Sequence, residues 1–133
     1  MALLYAHRVK QQLEFKMDHD VSFIIGEAQV AGEQGMQQII PKPMVVQDGS
    51  TRYVVPSGVC GFATVNVPGV RSNSKLGKEL IKHGFYKNSY ERCLQYSVHR
   101  GGQSMELKEA YAEEFARTLR RYGIDAYSTS RMD

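Results

Sequence analysis

The longest amphipathic stretch of this chain is the feature that most limits its possible folds. It runs from His99 to Tyr122, where a strand is predicted to pass through a glycine turn into a helix. Apolar residues recur there at spacings of three and four, which places them on one helix face. They are Leu107, Tyr111, Phe115, Leu119 and Tyr122. Glu106 in the first turn and Gly123 after the last one suit the two ends of a helix. A helix of this kind must bury its apolar face against another layer of structure.

The entrance to this helix predicts an anion-binding turn. Gly101 and Gly102 can adopt positive φ, and Ser104 can cap the helix. Free backbone N–H groups at the helix start, with Arg100 beside them, would suit a phosphate or a carboxylate. Gln103 belongs to the same turn and to the predicted site. The alternative is that the two glycines merely turn the chain, because a lone glycine pair has no fingerprint spacing.

The chain is predicted to consist of an N-terminal helical arm, residues 1–38, and a single α+β domain, residues 39–133. Residues 2–17 have helical periodicity. Residues 21–31 mix strand-forming and helix-forming types, and we favour a second helix there. Glycines make residues 32–38 resemble a linker. The arm could fold back over its own sheet or pack against another copy of the chain.

The domain is predicted to follow the order β-β-β-α-β-α-β, with two helices packed on one mixed sheet. Residues 44–55 contain the clearest hairpin signal, two apolar runs around an Asp-Gly turn. Residues 59–67 have apolar residues at both alternating sets of positions, which favours a central strand covered on both faces. A helix should start at Ser72 or Asn73 and end near His83.

The later strands are predicted at Cys93 to Val98 and at Ile124 to Ser128. Between the shorter helix and the first of these strands, residues 85–90 are predicted to form a loop with three aromatic residues and one cation. Phe85, Tyr86 and Tyr90 in this loop could stack on a base or another planar ring, which is worth roughly 1–3 kcal/mol per base where it has been measured. The alternative is that these aromatic side chains fill the core.

Composition agrees with a single soluble domain. The chain has 133 residues, of which 42% are hydrophobic and 23% charged, and its net charge of +3 is only mildly basic. No apolar run approaches the length of a bilayer span, and the N-terminus does not resemble an export signal, so the protein is expected to be unexported. Cys60 and Cys93 stand far apart without metal-ligand spacing, so no metal, disulfide or cofactor is predicted.

The residue types do not predict an enzyme. His83 and His99 could in principle serve a cysteine nucleophile, but both cysteines lie inside predicted strands and no nucleophile elbow is present. Most acidic residues of the C-terminal half lie on the exposed face of the long helix. We therefore assign no catalytic residue.

Three stretches of the chain resemble a family of small phage proteins. They are CGFATVNVPG at 60–69, GQSMELKEAYAEEFARTLRRYGIDAY at 102–127 and SRMD at 130–133. In these stretches the chain is similar to the phage anti-Thoeris sponge family, non-enzymatic proteins that sequester cyclic ADP-ribose isomers made by bacterial defence systems. The resemblance covers about residues 44–133.

The resemblance implies tight binding without turnover, in pockets where two subunits meet, with an aromatic ring on a base and arginines on a pyrophosphate. Phe85 and Arg131 are the positions here that could fill those roles. Arg100 and the turn from Gly101 to Ser104 are added on the physics of anion binding alone.

We therefore expect a cytoplasmic homo-oligomer, in an infected bacterial host, that binds a cyclic nucleotide-type small molecule and needs neither membrane nor nucleic acid. One alternative is a phage virion or accessory structural protein that assembles through its N-terminal arm. Another is a nucleic-acid binder that uses Lys75, Lys78 and Lys82, which predicts affinity that falls steeply with salt.

Overall fold

The computed structural model describes most of the chain apart from its N-terminus. The described residues are 20–40, 44–48, 51–55, 60–102 and 104–132. The predicted helix at residues 2–17 and the site residue Gln103 lie outside them.

The described elements are three helices and six strands, which confirms the α+β class. The helices are α1 (Val21–Gln37), α2 (Lys75–Lys82) and α3 (Met105–Arg121). The strands are β1 (Met44–Asp48), β2 (Thr51–Val55), β3 (Gly61–Pro68), β4 (Tyr86–Asn88), β5 (Cys93–Ser97) and β6 (Tyr127–Met132).

The strands form two sheets. β1 and β2 pair with each other as the predicted antiparallel hairpin. The other four strands form one sheet in the order β4-β5-β3-β6. In this sheet β3-α2-β4 and β5-α3-β6 are two interleaved β-α-β units, each with a strand of the other unit between its own strands. This is the split β-α-β arrangement of ferredoxin-like folds.

The four-stranded sheet is antiparallel throughout, whereas the prediction was a mixed sheet. The cause is β4, a three-residue strand within residues 85–90, which were wrongly predicted to be a loop. The chain returns along β4 after α2 and then reverses once more into β5. That additional reversal makes β5 antiparallel to its neighbour β3.

The long N-terminal helix packs on α3. Val21, Ile24, Ile25 and Ala28 are all buried in the same core as the residues of α3. The helix prediction for residues 21–31 is confirmed, but the expected linker at residues 32–38 is instead the last turn and a half of α1 and its cap.

Glycine is what lets this last part of α1 lie close to α3. A Cβ atom at Gly32 would come within 2.8–2.9 Å of the Tyr111 ring, and one at Gly35 within 2.6 Å of the Glu114 side chain. A glycine-rich segment therefore marks a close helix contact here.

The ends of the other elements differ slightly from the predictions. The N-cap of α2 is Ser74, not Ser72 or Asn73, and its hydroxyl accepts the Gly77 N–H at 3.0 Å. The last strand runs from Tyr127 to Met132, later than the predicted Ile124 to Ser128. Ile124 is a buried core residue in the connection after α3.

Candidate ligand site on the open face of the sheet

The four-stranded sheet has one face packed on the helices and one face that the described elements leave open. In β3, Ala63, Val65 and Val67 are buried on the helix side. Phe62 and Thr64 alternate with them on the other side, and the Phe62 side chain is 45% exposed. β3 is central as predicted, but among the described residues it is not covered on both faces. The polar positions of its alternating pattern lie on the open face of the sheet.

Strand register arranges the open-face side chains in three rows across the strands. The first row is Phe62 beside Arg131. The second row, here called the hydroxyl row, contains Thr64, Ser97 and Thr129. The third, the amide row, contains Tyr86, Gln95, Asn66 and Tyr127. Because Phe62 and Asn66 are four residues apart on one strand, the first and third rows are about 13 Å apart.

Asn66 is the centre of a hydrogen-bond network that joins the strands. Its side-chain oxygen accepts a hydrogen bond from Gln95 Nε2 at 2.6 Å, and its Nδ2 donates to Thr129 Oγ1 at 3.1 Å. Nδ2 also lies 3.4 Å from the Tyr127 carbonyl oxygen. Asn66 is only 2% exposed, and these hydrogen bonds offset the cost of burying its polar side chain.

The network continues to the edge strand β4. Gln95 Oε1 accepts hydrogen bonds from the Tyr86 hydroxyl at 2.9 Å and from Asn88 Nδ2 at 3.1 Å. The Tyr86 hydroxyl also lies 2.8 Å from Ser97 Oγ. The orientations of the two central carboxamides are therefore set by their neighbours, and their remaining hydrogen-bonding capacity points in defined directions.

Two cationic side chains lie over the Phe62 ring. Lys108 Nζ lies 5.3 Å from the ring centroid and the Arg131 guanidinium carbon 5.4 Å from it. Both separations are within the range of a cation–π interaction. This end of the open face is therefore aromatic and positively charged.

A concavity of about 510 Å³ lies over these rows. It forms because the hydroxyl row carries only small side chains, whereas the rows on either side of it carry rings and long side chains. Its volume lies within the range of small-molecule sites, about 300–1,000 Å³. Tyr86 and Tyr127, 43% and 42% exposed, stand at opposite edges of the amide row.

Two titratable groups on this face, Cys93 and Tyr127, have raised pKa values. Burial, together with the nearby Glu91 carboxylate, raises the pKa of the Cys93 thiol. Burial is also the main reason why the pKa of Tyr127 is raised, with smaller effects from Cys93 and from the Glu91 and Asp125 carboxylates. A protonated thiol is a poor nucleophile, so the polar groups of this face are suited to hydrogen bonding.

The predicted glycine turn is formed. Gly101 and Gly102 have φ values of 93° and 61°, and the Ser104 hydroxyl caps α3 by accepting the Leu107 N–H at 3.3 Å. Ser104 also forms an isolated bridge with Cys60, the residue before β3. The turn therefore lies at the same end of the sheet as Phe62 and Arg131.

Arg100 belongs to a different surface. Its guanidinium forms a bidentate ion pair with the Glu33 carboxylate of α1. Hydrogen bonding to Glu33 is the main reason why the pKa of Arg100 is raised. The arginine thus joins α1 to the turn before α3. Its predicted role as an anion ligand would require that ion pair to open.

Tyr111 lies beside this ion pair, and its ionisation lowers the free energy of unfolding at alkaline pH. Burial, followed by interactions with Tyr96 and Glu33, raises its pKa above the ordinary value of 10.0. Folding therefore favours the protonated phenol. Its contribution is complete below about pH 10 and is lost as pH rises further, with a slope of up to about 1.4 kcal/mol per pH unit.

We predict that the Tyr111→Phe variant loses less stability than the wild type between pH 9 and pH 11.5. Urea unfolding at a series of pH values measures this slope. Tyr90→Phe is the matched control, since it removes the same hydroxyl group from a residue that is 93% exposed. Parallel curves for Tyr111→Phe and the wild type would contradict the prediction.

The three predicted stacking residues do not form one surface. Tyr86 lines the concavity on the open face. Phe85 is 2% exposed and packs on Tyr96 and Phe115, with centroid distances of 5.3 and 6.2 Å. The alternative of a core residue is therefore correct for Phe85. Tyr90 is almost fully exposed on the turn between β4 and β5, at the opposite end of the sheet from Arg131.

Phe62, Asn66 and Gln95 were not among the predicted site residues. The available signal was the polar set within VCGFATVNV, which alternates with small apolar residues. Their convergence with Arg131 depends on a register between distant strands, which local periodicity does not contain.

Comparisons add neither a family nor a relative. No family model, no curated protein and no solved structure matches this chain. In the part of the chain that the structure describes, no three histidine, cysteine or acidic residues are grouped as a metal site would require. None of the described helices is long and apolar enough to cross a bilayer.

Proposed function

We propose that this chain is a non-enzymatic phage protein that binds a cyclic nucleotide-derived immune signal of the cyclic ADP-ribose isomer class and thereby counters bacterial defence. It would act in the cytoplasm of the infected host. The concavity on the open face is the observation that carries the proposal. The sequence resemblance to anti-Thoeris sponges motivates the choice of ligand class.

The three rows of the concavity offer what a nucleotide-derived ligand needs. A base could stack on the Phe62 ring after Lys108 or Arg131 moves away from it, and the Arg131 guanidinium could then bind phosphate oxygens. The hydroxyl row suits ribose, which both donates and accepts hydrogen bonds. The Gln95 carboxamide, which Asn66 holds in place, lies in the amide row, about 13 Å from the row of Arg131, so one ligand could contact both rows.

Binding without turnover is proposed because most polar side chains that line the concavity carry hydroxyl or carboxamide groups, and Glu91 is the one carboxylate among those that the structure describes. Hydroxyl and carboxamide groups hold a ligand by hydrogen bonds but do not exchange protons readily near neutral pH. The raised pKa values of Cys93 and Tyr127 likewise make these two groups less ready to lose a proton. These groups can thus supply affinity and selectivity to a sponge.

The test is heat denaturation of the protein alone and with cyclic ADP-ribose, its isomers, or cyclic di- and trinucleotides. A compound present at about 100 times its Kd should add roughly 2.7 kcal/mol, a shift of several degrees. The compound is then recovered from the heated sample. Intact compound after a shift supports a sponge, cleaved compound indicates an enzyme, and no shift with any compound contradicts the proposal.

Assembly is the second candidate function, and exposed apolar residues on α1 favour it. Phe23 and Val30 are 55% and 57% exposed, although they lie on a helix whose other face is buried. A phage structural protein could pack these residues against a second copy. In that case Phe23→Ser with Val30→Ser would abolish self-association in sedimentation experiments and leave ligand binding unaffected.

A further inference from the structure

A cationic cleft lies at the end of the sheet remote from Arg131. It is formed by the loop before α2 and by β4 with its turn into β5, and its volume is about 570 Å³. Arg71 comes from the first segment, and Lys87 and Arg92 from the second. These three residues define the cationic cleft.

The cations of the cleft have no acidic partners among the described residues. Elsewhere in the described chain, Lys82 pairs with Glu79 at 3.3 Å and Arg117 with Glu114 at 2.9 Å. No such ion pair involves Arg71, Lys87 or Arg92 within that part of the chain. The Glu91 carboxylate, next to Arg92 in the chain, acts electrostatically on Cys93 of the same cleft and offsets one of the three positive charges. An anion that binds among the cations would neutralise the charge that remains.

Local hydrogen bonds fix the backbone on both sides of the cleft. The Arg71 carbonyl oxygen accepts bonds from the Ser74 N–H at 3.1 Å and the Ser74 hydroxyl at 2.6 Å. On the other side, Asn88 Oδ1 accepts the Glu91 N–H at 3.1 Å, and Arg92 lies in the left-handed region at φ 54°. The cations therefore extend from defined positions.

We propose that the cationic cleft is a second anion site that binds a chain of two or three phosphate groups. Two guanidinium groups can each engage phosphate oxygens with paired hydrogen bonds, and Lys87 adds a third charge. Ser72 and Ser89 line the same cleft and supply hydroxyl groups. A carboxylate would use only part of this set, because it has fewer oxygens and a smaller charge.

The phosphate groups could come from a free nucleotide or from a short single strand of nucleic acid. Tyr90 is adjacent to the cleft in the β4–β5 turn and is 93% exposed, so its ring can stack on a base in either case. The site shares no cation with the open-face concavity. Loss of one site should therefore leave the other intact.

Calorimetric titration with inorganic tripolyphosphate tests the site. Arg71→Gln and Arg92→Gln should each weaken binding about tenfold, the effect expected for loss of a charge-assisted hydrogen bond. Arg117→Gln removes the same charge from α3 and should change the Kd less than about twofold. Circular dichroism establishes that each variant is folded.

The proposal is overturned if tripolyphosphate does not bind at millimolar concentration, or if Arg117→Gln weakens binding as much as Arg92→Gln does. Phe62→Ala, which alters only the open face, should leave tripolyphosphate affinity unchanged. The same titration with ATP and with a ten-residue oligothymidine identifies the source of phosphate. The ligand that binds more tightly identifies the source of phosphate. If this is the oligonucleotide, its affinity should fall steeply with salt concentration.

Discussion

Gly77→Ala is expected to destabilise the domain by about 3 kcal/mol, from steric overlap and from weakening of a helix cap. A Cβ atom there would lie 2.0 Å from the Arg71 carbonyl oxygen and 3.0 Å from Ser74 Oγ. The carbonyl belongs to the backbone and is held by two hydrogen bonds from Ser74. Relief of the overlap must therefore move the start of α2 or the loop before it.

Urea unfolding measures this loss, and Gly26→Ala is its matched control. Gly26 lies inside α1, and a Cβ atom there would meet nothing within 4 Å. The control should be unchanged or more stable by about 0.5–1 kcal/mol, because alanine favours the helix. Equal stability of the two variants would show that the packing around Gly77 is looser than these distances indicate.

Asn66→Ala is expected to cost about 2–3 kcal/mol, because it removes the group that satisfies Gln95 Nε2 and leaves a cavity. The substitution also frees Thr129 and Gln95 from their fixed positions. Ligand affinity of the open face should consequently fall as well, although Asn66 itself is almost completely buried.

Asn73→Ala is the control for this prediction, since Asn73 is exposed and should change stability by less than about 0.5 kcal/mol. Thermal and urea unfolding of both variants provide the measurement. If Asn66→Ala is as stable as Asn73→Ala, the network does not contribute to the fold and the orientation of the amide row must have another cause.

Features that depend on neighbouring residues were predicted well. The stripe from Leu107 to Tyr122, the Ser104 cap and the two positive-φ glycines follow from local periodicity and backbone sterics. The hairpin at residues 44–55 is equally local, because only two residues separate its two strands in the sequence. These features required no knowledge of how distant segments meet.

Features that depend on tertiary contacts were missed. Phe85 has the same local context as an exposed loop aromatic, and only the approach of α3 buries it against Phe115. Gly32 resembles a linker residue until Tyr111 is placed against it. β4 is too short for its alternation to differ from that of a loop, and the antiparallel sheet depends on it.

The candidate site was predicted only in part for the same reason. Arg131 was identified, but its neighbour Phe62 lies 69 positions earlier in the chain and is brought to it by the β3–β6 register. The hydroxyl row consists of residue types that are common on any strand surface. Nothing local distinguishes such a row until three strands align it.

The proposed function requires the open face, with Phe62 on it, to bind a cyclic nucleotide-derived signal. The decisive experiment is titration calorimetry of the wild type, Phe62→Ala and Phe23→Ala with cyclic ADP-ribose and its isomers. Phe23 is the matched control, an exposed phenylalanine on α1. Loss of a stacked ring should weaken binding by Phe62→Ala about 5- to 150-fold and leave Phe23→Ala within about twofold of the wild type. Equal affinities of all three proteins, or no binding by the wild type, would contradict the proposed function.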